Sequence, residues 1–115
     1  MKAQEYLQKA VALRIEIGDR KGEATDYGNL GTVFHFLGEH VKAIEYIEKA
    51  LAINIEIGNR AGQGAYFGNL GTVYTSLGDY VRAREYLQKA LATRIEIGDR
   101  KIGRASCRER VCQYV

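Results

Sequence analysis

The sequence predicts an all-α fold, a solenoid of antiparallel helix hairpins, and three observations carry that expectation. Residues 21–60 are followed without a gap by a near-copy, residues 61–100, in which 22 of 40 positions are identical. Within each copy the apolar residues recur at three- and four-residue steps, the period of a helix with one buried face. The chain has no proline, and glycines punctuate the pattern, so nothing else interrupts helices between the turns. Repetition at this period implies units that stack on their neighbours and cannot bury a face alone. Such an array offers an interaction surface rather than one deep core.

Residues 1–20 read as the second helix of a truncated unit, with the helix over Lys2 to Ile17. EYLQKA at 5–10 recurs as EYIEKA at 45–50 and EYLQKA at 85–90, and RIEIGDR at 14–20 recurs as NIEIGNR at 54–60 and RIEIGDR at 94–100. Residues 21–60 form a complete unit. Its helix A runs from Gly22 to Leu37, with Ala24, Tyr27, Leu30, Val33, Phe34 and Leu37 on one face. Gly38 stops it, and Glu39 with His40 turns the chain into helix B, Val41 to Ile57. There Ala43, Ile47, Ala50, Leu51 and Asn54 or Ile57 continue the period until Gly58, which takes the left-handed C-terminal role. Residues 61–101 repeat the design with Phe67, Leu70, Val73, Tyr74 and Leu77, then Gly78, then Ala83, Leu87, Ala90 and Leu91, with Gly98 as the stop. The Ile55-Glu56-Ile57 alternation suits a strand by residue type, but it extends a helical period and is too short for one.

Glycine inside helix A costs about 1 kcal/mol relative to alanine and needs a reason. For Gly31 and Gly71 that reason is a close crossing with helix B, made possible by the small Ala43 and Ala83. Gly28 and Gly68 point elsewhere and are expected to leave a flat, uncovered strip on helix A. Tyr27, Phe34, Phe67 and Tyr74 are expected in the core.

Net charge is +3, and residues 102–115, with three arginines and one glutamate, account for two of those charges. The repeats are thus close to neutral, which argues against a nucleic-acid footprint. No apolar run approaches the roughly 20 residues that span a bilayer, and the amphipathic start is unlike a signal peptide. A cytoplasmic location is the expectation.

Site chemistry is sparse. GNLGTV lies within a helix and lacks the lysine of a phosphate loop. Neither His35 nor His40 has a carboxylate or cysteine repeated at metal-ligand spacing, so no metal, cofactor or catalytic residue is expected, and His40 reads as a packing residue. Glu5, Glu45 and Glu85 recur with the repeat and read as a solvated face, supported at i,i+4 by Lys9, Lys49 and Lys89.

YGNLGTVFHFLGEHVKAIEYIEKALAI and its successor FGNLGTVYTSLGDYVRAREYLQKALAT resemble the tetratricopeptide repeat. The matching features are the aromatic Tyr27 or Phe67, Leu30-Gly31 or Leu70-Gly71, the aromatic Phe34 or Tyr74, Ala43 or Ala83, and Ala50 or Ala90. The resemblance covers residues 1 to about 101. Ile55 and Ile95 replace the usual proline after helix B, and this 40-residue variety looks like the arrays of Pins-type G-protein signalling modulators and of large repeat scaffolds.

The resemblance implies a right-handed superhelix whose helices A line a concave groove for a partner's peptide or helix. The groove positions carried over are Thr25, Gly28, Asn29, Thr32, His35 and Phe36, then Ala65, Gly68, Asn69, Thr72, Thr75 and Ser76. An asparagine amide can donate to and accept from a bound backbone at once, and adjacent glycines let that backbone come close. Asn29 and Asn69 could equally bridge neighbouring helices, and both readings stand at this point. The copies differ at Thr25/Ala65, Asp26/Tyr66, His35/Thr75 and Phe36/Ser76 around an unchanged GNLGTV centre, as suits a groove gripping backbone generically and reading side chains individually.

After Lys101 the period requires a new helix A, but the chain gives IGRASCRERVCQYV, which holds both cysteines. Residues 102–111 resemble translated read-through of a sequencing adapter, the alternative being a basic C-terminal capping helix with Val111, Cys112 and Val115 as its apolar face. On the first reading the array is a fragment cut at both ends, prone to self-association through uncapped faces. The function expected is a non-catalytic protein–protein interaction scaffold of a larger protein. The alternative is a ligand-responsive regulatory module that binds a signalling peptide, and RNA recognition is disfavoured by the neutral groove.

Overall fold

The computed structural model describes residues 2–105 as five helices and no strand: α1 (Lys2–Ile17), α2 (Arg20–Phe36), α3 (His40–Glu56), α4 (Arg60–Leu77) and α5 (Tyr80–Ala105). Each helix packs on the next in chain order, most extensively within the hairpins α2–α3 and α4–α5. The molecule measures 53 × 38 × 21 Å, the elongated shape of a stack. The readings of residues 106–115 lie outside the described residues.

The turns arise from glycine and one polar residue after it. Gly18, Gly38, Gly58 and Gly78 all have positive φ, 73–80°, where a side chain would be strained. After Gly18 and Gly58 come Asp19 and Asn59, whose side chains cap α2 and α4 by accepting from the backbone N–H of Gly22 (2.9 Å) and Gly62 (3.0 Å). These caps satisfy an otherwise unpaired helix N-terminus. They start helix A at Arg20 and Arg60, two residues before the periodic pattern does.

The core is the interleaved apolar faces. Leu30, Phe34, Ala43, Ile47, Ala50 and Leu70 are at most 2% exposed, each larger one contributing roughly 1.5–3 kcal/mol of burial. Helix A crosses helix B closely where expected: a Cβ on Gly31 would stand 2.5 Å from Ile47 and 3.2 Å from the Ala43 carbonyl, and one on Gly71 would stand 2.6 Å from Leu87. Phe34 and Tyr74 are buried as expected. Tyr27 and Phe67 are only half-buried, because helix B presents them with Tyr46 and Tyr86 rather than an apolar wall.

One stop signal fails. Gly98 has no positive φ, and α5 runs through it to Ala105. The sequence departs from the earlier unit at residues 102 and 104. Gly22 must lack a Cβ, which would run into the capping Asp19 and come within 2.8 Å of Arg14, and Ala24 is 1% exposed. Eighty residues on, a β-branched Ile102 stands in Gly22's position and Arg104 in Ala24's. The two small residues with which helix A opens in the first unit are thus absent at these positions. Leu87 and Leu91 are then 46% and 59% exposed, whereas their counterparts Ile47 and Leu51 are covered, Ile47 to 2%.

The repeated Glu/Lys pairs also work otherwise than expected. Among the described residues Glu45–Lys49 and Glu85–Lys89 form no ion pair. Instead Lys49 Nζ sits 5.4 and 5.1 Å above the Tyr27 and Tyr46 rings, and Lys89 sits 5.7 and 5.2 Å above Phe67 and Tyr86. Beneath them Tyr46 stacks on Phe34 at 5.3 Å and Tyr86 on Tyr74 at 5.5 Å.

Candidate functional site

The twelve positions expected to line a groove lie on α2 and α4. Thr25, Asn29, Thr32 and Phe36 of α2 are exposed, as are Ala65, Asn69, Thr72, Thr75 and Ser76 of α4. His35 and Gly68 are half-buried, and Gly28 is buried. The threonines direct their hydroxyls inward: Thr25 donates to the Lys21 carbonyl (3.1 Å), Thr32 to Gly28 (3.2 Å), Thr72 to Gly68 (3.1 Å) and Thr75 to Gly71 (2.8 Å). Asn29 and Asn69 have no hydrogen-bond partner among the described residues, and do not bridge helices. Each amide retains two donors and an acceptor for something outside the fold, and the Ser76 hydroxyl is likewise without a partner among the described residues.

The glycine strip is not uncovered. Tyr66 lies over Gly28, where a Cβ would stand 2.5 Å from its Cε1, and its hydroxyl donates to the Ala24 carbonyl at 3.3 Å. Burial holds the Tyr66 hydroxyl above the usual phenol range, which keeps it the donor. Only Gly68 remains open, with nothing nearer than Ala90 Cβ at 4.0 Å. The Asp26/Tyr66 difference between copies is therefore a packing difference. Asp26 is buried and accepts from Arg14 Nε at 3.3 Å, joining α1 to α2, while Tyr66 joins α4 to α2.

His35 is engaged as well. Its Nδ1 lies 3.3 Å from Nδ1 of His40 across the α2–α3 turn, so it belongs as much to the turn as to the groove.

A polar contact repeats within each hairpin, and another joins the hairpins to each other. Arg20 at the start of α2 reaches Glu56 at the end of α3 (2.7 Å), and Arg60 makes the same contact with Glu96. Gln63 donates to the buried Asn54 carbonyl at 3.1 Å. No buried side-chain polar atom among the described residues lacks a partner. The arginine contacts join the two helices of one hairpin, and Gln63 joins α4 to α3 of the preceding one. The Lys-capped tyrosines were missed from sequence, although EY followed by lysine in all three copies is their signal.

The tetratricopeptide-repeat family profile matches residues 1–56 and again 37–96. The chain belongs to the tetratricopeptide-repeat family. Among solved structures it is similar to the tetratricopeptide-repeat domain of Arabidopsis FLU, at 27% identity over 84% of this chain and 80% of that one, with a TM-score of 0.77. No curated protein matches the chain. Tetratricopeptide repeats mediate protein–protein interaction and are typically non-catalytic scaffolds. No helix among the described residues is long and apolar enough to cross a membrane.

Proposed function

We propose that this tetratricopeptide-repeat array holds an extended peptide or a helix of a partner protein on the surface of α2 and α4. The observation that carries the reading is the pair Asn29 and Asn69: exposed, unbonded within the fold, and repeated at one 40-residue step. A backbone laid across both would be gripped without regard to its side chains, while Phe36 and Ser76, Thr25 and Ala65 would read neighbouring residues. Gly28 drops out of that surface and Gly68 stays in it. The ligand-responsive alternative uses the same groove and gains no separate support.

The array is read as a segment of a larger cytoplasmic scaffold of the Pins-like, 40-residue variety, without catalysis or nucleic-acid binding. The open Leu87 and Leu91 face supports self-association of the isolated chain. Resequencing the locus tests whether the tail is adapter-derived: a genomic continuation reading GRASCRERV refutes it.

The groove is tested by selecting a displayed random-peptide library on the full chain and measuring the selected peptide by calorimetry. Asn29→Ala with Asn69→Ala is expected to weaken it by about 1–3 kcal/mol, two hydrogen-bonded amides' worth. Unchanged affinity, or selection of peptides that compete only at the α5 face, overturns the reading.

A further inference from the structure

We propose that His35 and His40 form a two-histidine site for a divalent zinc ion at the α2–α3 turn. The two Nδ1 atoms lie 3.3 Å apart, with ring centroids at 5.2 Å and planes at 53°. Two nitrogens bound to one tetrahedral Zn²⁺, each at about 2.0–2.1 Å, stand roughly 3.3–3.4 Å from one another.

The backbone between the two histidines is fixed by hydrogen bonds. Leu37 N–H donates to the Val33 carbonyl (3.0 Å), Gly38 N–H to His35 (3.0 Å) and Glu39 N–H to Phe34 (2.9 Å), closing the turn between the histidines. Neither ring is fully exposed, so little side-chain freedom remains to be lost when a metal binds. As the pair stands, one imidazole must donate its N–H to the other. Zinc replaces that hydrogen bond: the donating ring exchanges its Nδ1 proton through solvent for one on Nε2, with no net proton released, and both Nδ1 atoms become ligands.

No third histidine, cysteine, aspartate or glutamate joins the pair among the described residues. The remaining positions on zinc fall to water or to a group of whatever occupies the adjoining groove. The site is thus open and exchangeable rather than a structural closure of the fold. The second repeat has no such pair, carrying Thr75 and Tyr80 at the same positions around an equivalent turn.

That second repeat supplies the test variants, because it shows that the turn folds with those residues. The full chain carrying Cys107→Ser and Cys112→Ser, which removes the thiols, is titrated with zinc chloride by calorimetry. One equivalent is expected to bind, and His35→Thr or His40→Tyr is expected to abolish that binding while the helical circular dichroism is kept. Zinc should also shift the Nδ1 nitrogen resonances of both rings. Absence of binding, binding that survives both substitutions, or unmoved Nδ1 resonances leaves only a hydrogen-bonded pair and overturns the proposal.

Discussion

The ring of Tyr66 on α4 covers Gly28 on α2, and the hydroxyl at its tip donates to the Ala24 carbonyl at 3.3 Å. At the same repeat position in the next unit, a Cβ on Gly68 would meet nothing nearer than Ala90 Cβ at 4.0 Å. Two glycines alike in sequence should therefore respond oppositely to alanine. Gly68→Ala gains helix propensity, up to about 1 kcal/mol, and stabilises. Gly28→Ala gains the same but must displace the Tyr66 ring, an overpacking cost of about 1–3 kcal/mol, and the net effect is destabilising. Urea unfolding checks both. With Tyr66→Ala in the background, Gly28→Ala should turn stabilising, and a sign that stays unchanged would show that Tyr66 is not the obstacle.

Lys49 contributes through the rings of Tyr27 and Tyr46 rather than through Glu45. Lys49→Gln is expected to cost about 0.5–1 kcal/mol, the range for an exposed cation–π contact. Glu45→Gln is expected to cost nothing measurable. An i,i+4 ion pair would make the two substitutions equivalent, so thermal midpoints of both variants at low and high salt separate the readings.

The parts of this fold that sequence makes legible are those fixed within one hairpin. Helical period, the Gly38 and Gly78 turns, and the Gly31–Ile47 crossing each depend on residues of a single unit, and the repeat displays them twice. What sequence hides lies between units or occurs once. Tyr66 meets Gly28 across a repeat boundary, and no second copy of that contact exists to betray it. His35 and His40 come together across a turn, but only one repeat has the pair, so repetition argued against a shared role. For the groove, exposure of Asn29 and Asn69 was foreseeable from their place opposite Leu30 and Leu70. The loss of Gly28 from it was not.

The Asp19 cap makes stability depend on acid. The Gly22 N–H that its side chain accepts, followed by the charge and hydrogen bond of Arg14, holds the Asp19 carboxyl below the usual carboxylate range. A depressed folded value means that the folded state binds the proton less readily than the unfolded chain. Stability from this group is present above the unfolded value, about 3.9, and is lost as pH falls from there through the folded value. Asn59 caps α4 with an amide that does not titrate. Asp19→Asn should therefore keep the cap and flatten this part of the acid dependence. The readout is a smaller drop in thermal midpoint between roughly pH 5 and roughly pH 3, across the carboxylate range. An unchanged drop would place the acid sensitivity elsewhere.

Eight identical residues, RIEIGDRK, occur at 14–21 and at 94–101 in two conformations. In the first, Gly18 has φ of 75° and ends α1; in the second, Gly98 sits within α5 with nothing within 4 Å of a Cβ. Local sequence is the same, so the difference arises outside it, and the residues that follow differ: Gly22 and Ala24 after the first copy, Ile102 and Arg104 after the second. Alanine reads out the conformation directly. Gly98→Ala removes a helix-interior glycine and should stabilise by up to about 1 kcal/mol with a gain in helical circular dichroism. Gly18→Ala forces a side chain into the left-handed region and should destabilise by about 1–2 kcal/mol. If Gly98→Ala instead destabilised as Gly18→Ala does, Gly98 would be a helix stop in solution and α5 would end before it.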